Sequence, residues 1–336
     1  MPSSSQLAAT LIVRDEARSI ARCIASVRPW VDRVVVVDTG STDGTAEIAA
    51  RAGAEVHTFQ WCEDFSAARN HALACADADW HLVIDADEWL QSGGEALRRF
   101  VAGPQRLGTI CIDSSFTAGG EAGSGRSWIT RLLPRGARYQ GRIHEQVVSP
   151  LERRRIDVVF GHDGYEDAQM GRKRTRNRTL LMLDLAERPD DPYLAFQLGR
   201  EAEGRQDVAE ACDWYARAAD APAGSGWLHE LTTRRLQCLG RAGRLDAALA
   251  LADDAIPRWP DSPDLFFVVG NLLLDRAISD PAQAIETWLP LATGAWERCL
   301  EIGERPDLEG SVAGRGSHLA RRNLDMVRGQ MAALAA

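Results

Sequence analysis

The stretch "WHLVIDADEWL", residues 80–90, runs an apolar segment straight into three acids, Asp85, Asp87 and Glu88, with only Ala86 between the first two. Carboxylates this close repel one another unless a cation or a hydrogen-bond donor is expected among them. Asp85 and Asp87 can meet one divalent ion and the diphosphate it carries. Mg2+ or Mn2+ suits such a site, because these hard cations accept carboxylate oxygens and keep positions open for phosphate. A solvated turn after a strand is the plainer alternative. A second segment, "VVVVDTGSTDGT", ends a strand at Asp38 and exposes backbone amides at Gly40 and Ser41, a combination that can read a nucleobase edge. It is neither G-x-x-x-x-G-K-[ST] nor G-x-G-x-x-G, which excludes the P-loop and dinucleotide fingerprints. In "WCEDFSAARNHAL", Arg69 falls in the first turns of a helix expected to be capped by Ser66, where a fixed guanidinium can meet a base carbonyl or a phosphate oxygen. A surface ion pair with Glu63 or Asp64 is the alternative. His144, Glu145 and His162 complete the set: a His beyond the acidic pair can join a metal shell or hold a diphosphate, and Glu145 offers a general base, with Asp15 or Asp163 next in line. "IHE" also reads as a strand whose polar residues face water.

These residues need elements to hold them. "AATLIV", "DRVVVVD", "AEVHTF" and "WHLVI" read as buried strands; "EARSIARCIASV", "STDGTAEIAARAG" and "FSAARNHALACA" between them have helical spacing or caps. Such alternation implies a parallel doubly wound sheet with ligands beyond the carboxyl ends of its strands, where the loops 14–16, 38–43 and 85–88 fall. A Gly- and Ser-rich segment around 118–127 reads as a mobile loop between strands. From about Asp190 only helices are expected. "LGREAEGRQDVAEACDWYARA" places Leu198, Gly199, Ala211, Tyr215 and Ala218 at the offsets of a tetratricopeptide helix pair. "AGRLDAALALADDAI" repeats it at a shift of 39, and "AQAIETWLPLA" repeats the spacing at Ala284 and Trp288. An ordinary helical bundle is the alternative.

Taken in order, "TLIVRDEARSIARCIASV", "VVVVDTGSTDGTAEIA", "DFSAARNHAL" and "WHLVIDADEWL" resemble the nucleotide-sugar half of inverting glycosyltransferase family 2 over about residues 8–90. The resemblance implies an α/β GT-A domain over 1–170, followed by an all-α tetratricopeptide-like domain over 171–336. It also implies a UDP-sugar donor and a Mg2+ or Mn2+ cofactor. By it Asp38 would bind the uracil, Arg69 the base or diphosphate, Asp85 the ribose or metal, and Asp87 the metal directly. Val13, Asp15, Gly40 and Ser41 would line the nucleotide-sugar site, and His162 would join the metal set. One departure leaves the role of Asp15 open: the family opening has an Asn before the paired acids, where this chain reads Val13-Arg14-Asp15-Glu16. "GRIHEQVV", "FGHDGYED" and "RNRTLLMLDLAERPDDPYLAFQLG" further resemble the subfamily fused to tetratricopeptide helices, which includes the S-glycosyltransferases of bacteriocin peptides (sublancin type). That implies hexose transfer to a Cys or Ser side chain of a peptide, with Glu145 and His144 catalytic. The rivals are transfer to a lipid-linked or cell-wall glycan and, outside enzymes, a peptide-binding scaffold with a degenerate transferase domain.

Composition sets the bounds. At 336 residues and 45% hydrophobic content the chain can bury a large core, and its length favours about two domains. A net charge of -9 argues against a nucleic-acid partner, although Arg residues gather between 126 and 178. The seven cysteines form no C-x-x-C pair, so reduced thiols in a cytoplasmic protein are expected. No apolar run reaches the roughly 18 residues of a membrane span. A homodimer through the end repeats is a further expectation.

Overall fold

The computed structural model describes residues 5–118, 121–162 and 167–335. The chain divides into two compact units, Met1–Asp184 and Leu185–Ala336. In the first unit the elements run β1 (Leu7–Val13), α1 (Ile20–Val27), β2 (Arg33–Asp38), α2 (Thr45–Arg51), β3 (Glu55–Thr58), α3 (Phe65–Ala76), β4 (Trp80–Val83), β5 (Glu88–Ser92), α4 (Gly94–Val101), β6 (Leu107–Ala118), β7 (Glu121–Pro134), β8 (Arg138–Gln140), β9 (Gln146–Val148), β10 (Arg153–His162) and α5 (Asp167–Glu187). The expected domain boundary at 170/171 falls inside α5, as does the division between the two units after Asp184.

Strand order in the eight-stranded sheet is β3-β2-β1-β4-β7-β6-β10-β5. The first four strands are parallel, as the alternating pattern requires. Beyond β4 the sheet becomes mixed: β7 is antiparallel to β4 and β6, β10 is parallel to β6, and β5 is antiparallel to β10. The cause is connection length. Only two residues separate β6 from β7, enough for a hairpin and far short of a parallel crossover. The mobile loop expected at 118–127 is therefore strand from Glu121 onward, paired back to β6.

Side chains of period two cover both faces of the sheet. Leu7, Ala9 and Leu11 of β1 pack with Val34 and Val36 of β2 against Ile20, Ile24 and Val27 of α1 and Leu97 of α4. Ala8 and Val35 turn the other way, onto Ala76 and Ala78 at the end of α3. Being covered on both sides explains the unbroken valine run of β2. Leu82 of β4 is fully buried in the first layer, so Leu82→Ala would cost about 2–5 kcal/mol. Pairing of Val13 with Asp38 and of Thr10 with Val83 brings the loops after β1, β2 and β4 to one sheet edge.

The second unit is helical: α6 (Pro192–Gly204), α7 (Val208–Arg217), α8 (Leu228–Arg241), α9 (Leu245–Ala255), α10 (Pro263–Ser279), the single turn α11 (Pro281–Gln283), α12 (Leu289–Ile302) and α13 (His318–Ala335). Helices pack in succession, α6 with α7, α8 with α9 and α10 with α12. Close approach depends on glycine facing an aromatic ring. A Cβ on Gly199 would lie 2.3 Å from the ring of Tyr215, and one on Gly270 2.5 Å from Trp296 Nε1. The third repeat differs from its sequence register. Ala284 and Trp288 fall in a π-helical segment, Ala284–Trp288, and it is Trp296 of α12 that is fully buried against α10. A π turn adds a residue to the helical repeat and so displaces the copied spacing. No described helix is long and apolar enough to cross a membrane.

Candidate active site

The β2 end is built around Asp38. Its Oδ1 accepts the backbone N–H groups of Gly40 and Ser41, each at 2.7 Å, which Gly40 permits with φ +110°. Its Oδ2 is buried and has no donor among the described residues. A buried acceptor left open is costly unless a ligand supplies the donor. Asp15, in the left-handed region at φ 55°, fixes this loop from the β1 side: its Oδ1 accepts the Thr42 N–H at 2.7 Å, and its own N–H donates to Ser41 Oγ at 3.0 Å. Asp15 is therefore tied to Ser41 through its main chain and to Thr42 through its side chain. Val13 is buried in the core, and its carbonyl accepts both the N–H and the hydroxyl of Thr39.

Arg69 comes from α3, whose cap is Asp64 rather than the expected Ser66. Asp64 Oδ1 accepts the Ala67 N–H at 2.9 Å, while Ser66 lies inside the first turn and donates to the same oxygen. Arg69 is 8% exposed, so the surface alternative fails. Its Nε donates to Glu145 and its Nη2 to Asp85 Oδ1 at 2.8 Å, with Nη1 buried and unpartnered among the described residues. The guanidinium also lies 5.6 Å from the centroid of the Tyr139 ring. Glu145 and His144 sit not in a strand but in the turn between β8 and β9. That turn is docked onto α3: the Phe65 N–H donates to the Arg142 carbonyl, and the Asn70 amide exchanges two bonds with the Tyr139 main chain. Glu145 points inward, largely buried. His144 is exposed, with φ 51°, and its carbonyl accepts from Gln146 Nε2.

Asp85 is gripped from two sides. Arg69 holds Oδ1, and Arg131 of β7 holds Oδ2 at 2.5 Å. Burial pushes this carboxyl upward, but Arg131 and Arg69 outweigh it and hold the group well below the usual carboxylate range. Glu88, 3% exposed, accepts from the Asp85 N–H at 3.0 Å and from Arg131 at 2.9 Å. Burial, aided by the Asp85 charge, pushes it up to about 7 in spite of Arg131. Asp87 has a different neighbour. Register pairs His162 of β10 with Glu88 of β5, which places His162 Nε2 at 3.3 Å from Asp87 Oδ2. The hydrogen bond it donates to Asp87 raises the imidazole above its ordinary value, and Ser114 Oγ, 3.2 Å from Nδ1, fixes the other edge of the ring.

The donors can be tested against a divalent ion. Cis ligands on an octahedral ion lie about 3 Å apart at Mg2+ distances, close to the Asp87–His162 separation. These two residues fit a metal that takes its remaining ligands from diphosphate and water; no group of three His, Cys, Asp or Glu among the described residues does so. Asp85, expected as a second ligand, has both oxygens occupied by arginines. Arg131, Ser114 and Tyr139 had no signal in the sequence, since each reaches the site through long-range strand pairing. Asp163 lies outside the described residues.

Residues 10–151 match glycosyl transferase family 2. A TPR repeat-containing protein of Synechococcus elongatus is 37% identical over 224 residues, 62% of this chain and 55% of the relative. The SPbeta prophage-derived glycosyltransferase SunS of Bacillus subtilis is 25% identical over 219 residues, 62% of this chain and 52% of the relative. The chain thus spans about half the length of the curated relatives it matches. Glucosyl-3-phosphoglycerate synthase from Mycobacterium tuberculosis, solved with Mn2+ and uridine-diphosphate, shares 23% identity over 35% of this chain and 46% of that one, with a TM-score of 0.28. Sheet order and the family match together give the first unit a GT-A-like fold.

Proposed function

With residues 10–151 matching glycosyl transferase family 2, we propose that the protein is an inverting hexosyltransferase that moves a sugar from a UDP-sugar to a Cys or Ser side chain of a peptide. The observation that carries the donor reading is Asp38, whose buried Oδ2 awaits a donor while Oδ1 is locked on the Gly40 and Ser41 amides. The imide N–H of uracil is such a donor. In the reaction the acceptor sulfur or oxygen attacks the anomeric carbon as the bond to the diphosphate oxygen breaks. A single in-line displacement inverts the configuration, and the electron pair leaves on UDP. Asp87 and His162 would hold Mg2+ or Mn2+, which when bound neutralises charge on the departing diphosphate. Arg69 is fixed nearby by Asp85 and Glu145, a cation that needs no reorganisation as the leaving group develops charge.

Glu145 is the proposed base. Arg69 holds one of its oxygens, which leaves the other to take the acceptor proton. A thiol, with an ordinary pKa of about 8.5, needs this help less than a hydroxyl. Acceptor binding is assigned to the helical unit, where a cavity of about 400 Å³ spans α6, α8 and α10 and is lined by Glu203, Gln237, Arg241, Asn271, Leu272 and Asp275. Mass spectrometry of Cys- and Ser-containing peptides incubated with a panel of UDP-sugars tests the reading: a hexose mass shift on the peptide is expected, and sugar release with no peptide product would remove the acceptor half of it.

A further inference from the structure

The acids of "DADE" surround a cation to which the motif gives no clue. Arg131, 6% exposed, donates through Nη2 to Asp85 Oδ2 and to Glu88 Oε1. Glu88 Oε2 accepts the Asp85 N–H, and the Glu88 N–H donates to the Asp85 carbonyl at 3.1 Å. These bonds close a ring through the turn 85–88, the segment that carries Asp87 to His162. Arg131 Nε is buried with no acceptor among the described residues, an uncompensated cost. Buried ion networks add little net stability compared with packed apolar groups. What this one supplies is geometry.

We propose that Arg131 is a positioning residue of the donor site: by gripping Asp85 and Glu88 together it sets the turn that presents Asp87, and so governs affinity for a divalent metal with UDP without touching either. The inference rests on the donor reading above. Its test is calorimetric titration of UDP into the full chain, with Mn2+ and again in EDTA, alongside thermal unfolding. Arg131→Met leaves the buried Glu88 carboxylate without its cation and Asp85 held by Arg69 alone, and its Tm is expected to fall. Combining it with Glu88→Gln removes one cation and one anion together and is expected to restore the Tm of Glu88→Gln. That double variant should bind UDP with Mn2+ at least tenfold more weakly than Glu88→Gln alone, with no difference between the two in EDTA. Equal affinities with Mn2+ would overturn the proposal and leave Arg131 as the charge partner of Glu88; an equal loss in EDTA would overturn it as well. Arg131→Lys keeps the charge but presents a shorter, single-point donor, so a smaller loss of the same Mn2+-dependent kind is expected, and wild-type affinity would count against the proposal. A wild-type chain that binds no UDP under either condition sinks the donor reading itself, and this inference with it.

Discussion

At the scale of single residues, the Asp87–His162 pair gives the most direct readout. Because the Asp87 hydrogen bond is the first cause of the raised His162 value, Asp87→Asn should move the imidazole titration down toward its ordinary range, observable by NMR in metal-free protein. The same change should reduce transfer by 10²-fold or more, on the order of one lost catalytic group, while circular dichroism stays native. An unmoved His162 titration would show that the pair does not form in solution. Glu145 makes a different claim. Glu145→Gln is expected to depress transfer to a Ser peptide by about 10²–10⁴-fold and to its Cys counterpart much less; equal losses would assign Glu145 to holding Arg69 instead.

Elements carry their own consequences. His81 sits in β4, 4% exposed, with Nδ1 lacking a partner among the described residues, and burial pushes it down to about 4. Between pH 6.5 and 4 the unfolded chain therefore binds a proton that the folded chain refuses. Stability contributed by the neutral imidazole is present above pH 6.5 and is lost as pH falls through that window, by about 3 kcal/mol in all. Chemical denaturation at stepped pH should show this slope in the wild type and not in His81→Leu. In the helical unit the Gly199 contact with Tyr215 predicts a cost of about 1–3 kcal/mol for Gly199→Ala, since the ring must give way to the new methyl. Calorimetric unfolding would measure it, and UDP affinity is expected to persist.

For the whole molecule, the proposed function has the two units divide the labour. Asn271 has its Oδ1 bonded by Asn323 Nδ2 at 3.0 Å and lines the cavity of the second unit. Asn271→Trp should fill that space, weakening acceptor-peptide affinity by calorimetry without changing UDP affinity; a parallel loss of both would argue against the division. The buried apolar runs alternating with helical spacing by themselves determined four parallel strands and the gathering of three polar loops at one edge, and the repeat offsets determined the glycine-spaced helix pairs. Each of these is local: a strand, a turn or a helix face repeats with a period that the chain displays within a few residues. The Gly40 and Ser41 amides, expected to face a ligand, turn back onto Asp38 only in the folded structure. The tertiary structure alone decided that the sheet turns mixed after β4, that His162 meets Asp87, that Glu145 meets Arg69, and that Arg131 closes on Asp85 and Glu88. Those contacts depend on the register between strands and turns far apart in sequence. A slip of one residue would turn every side chain to the opposite face, and no local periodicity encodes which register is taken.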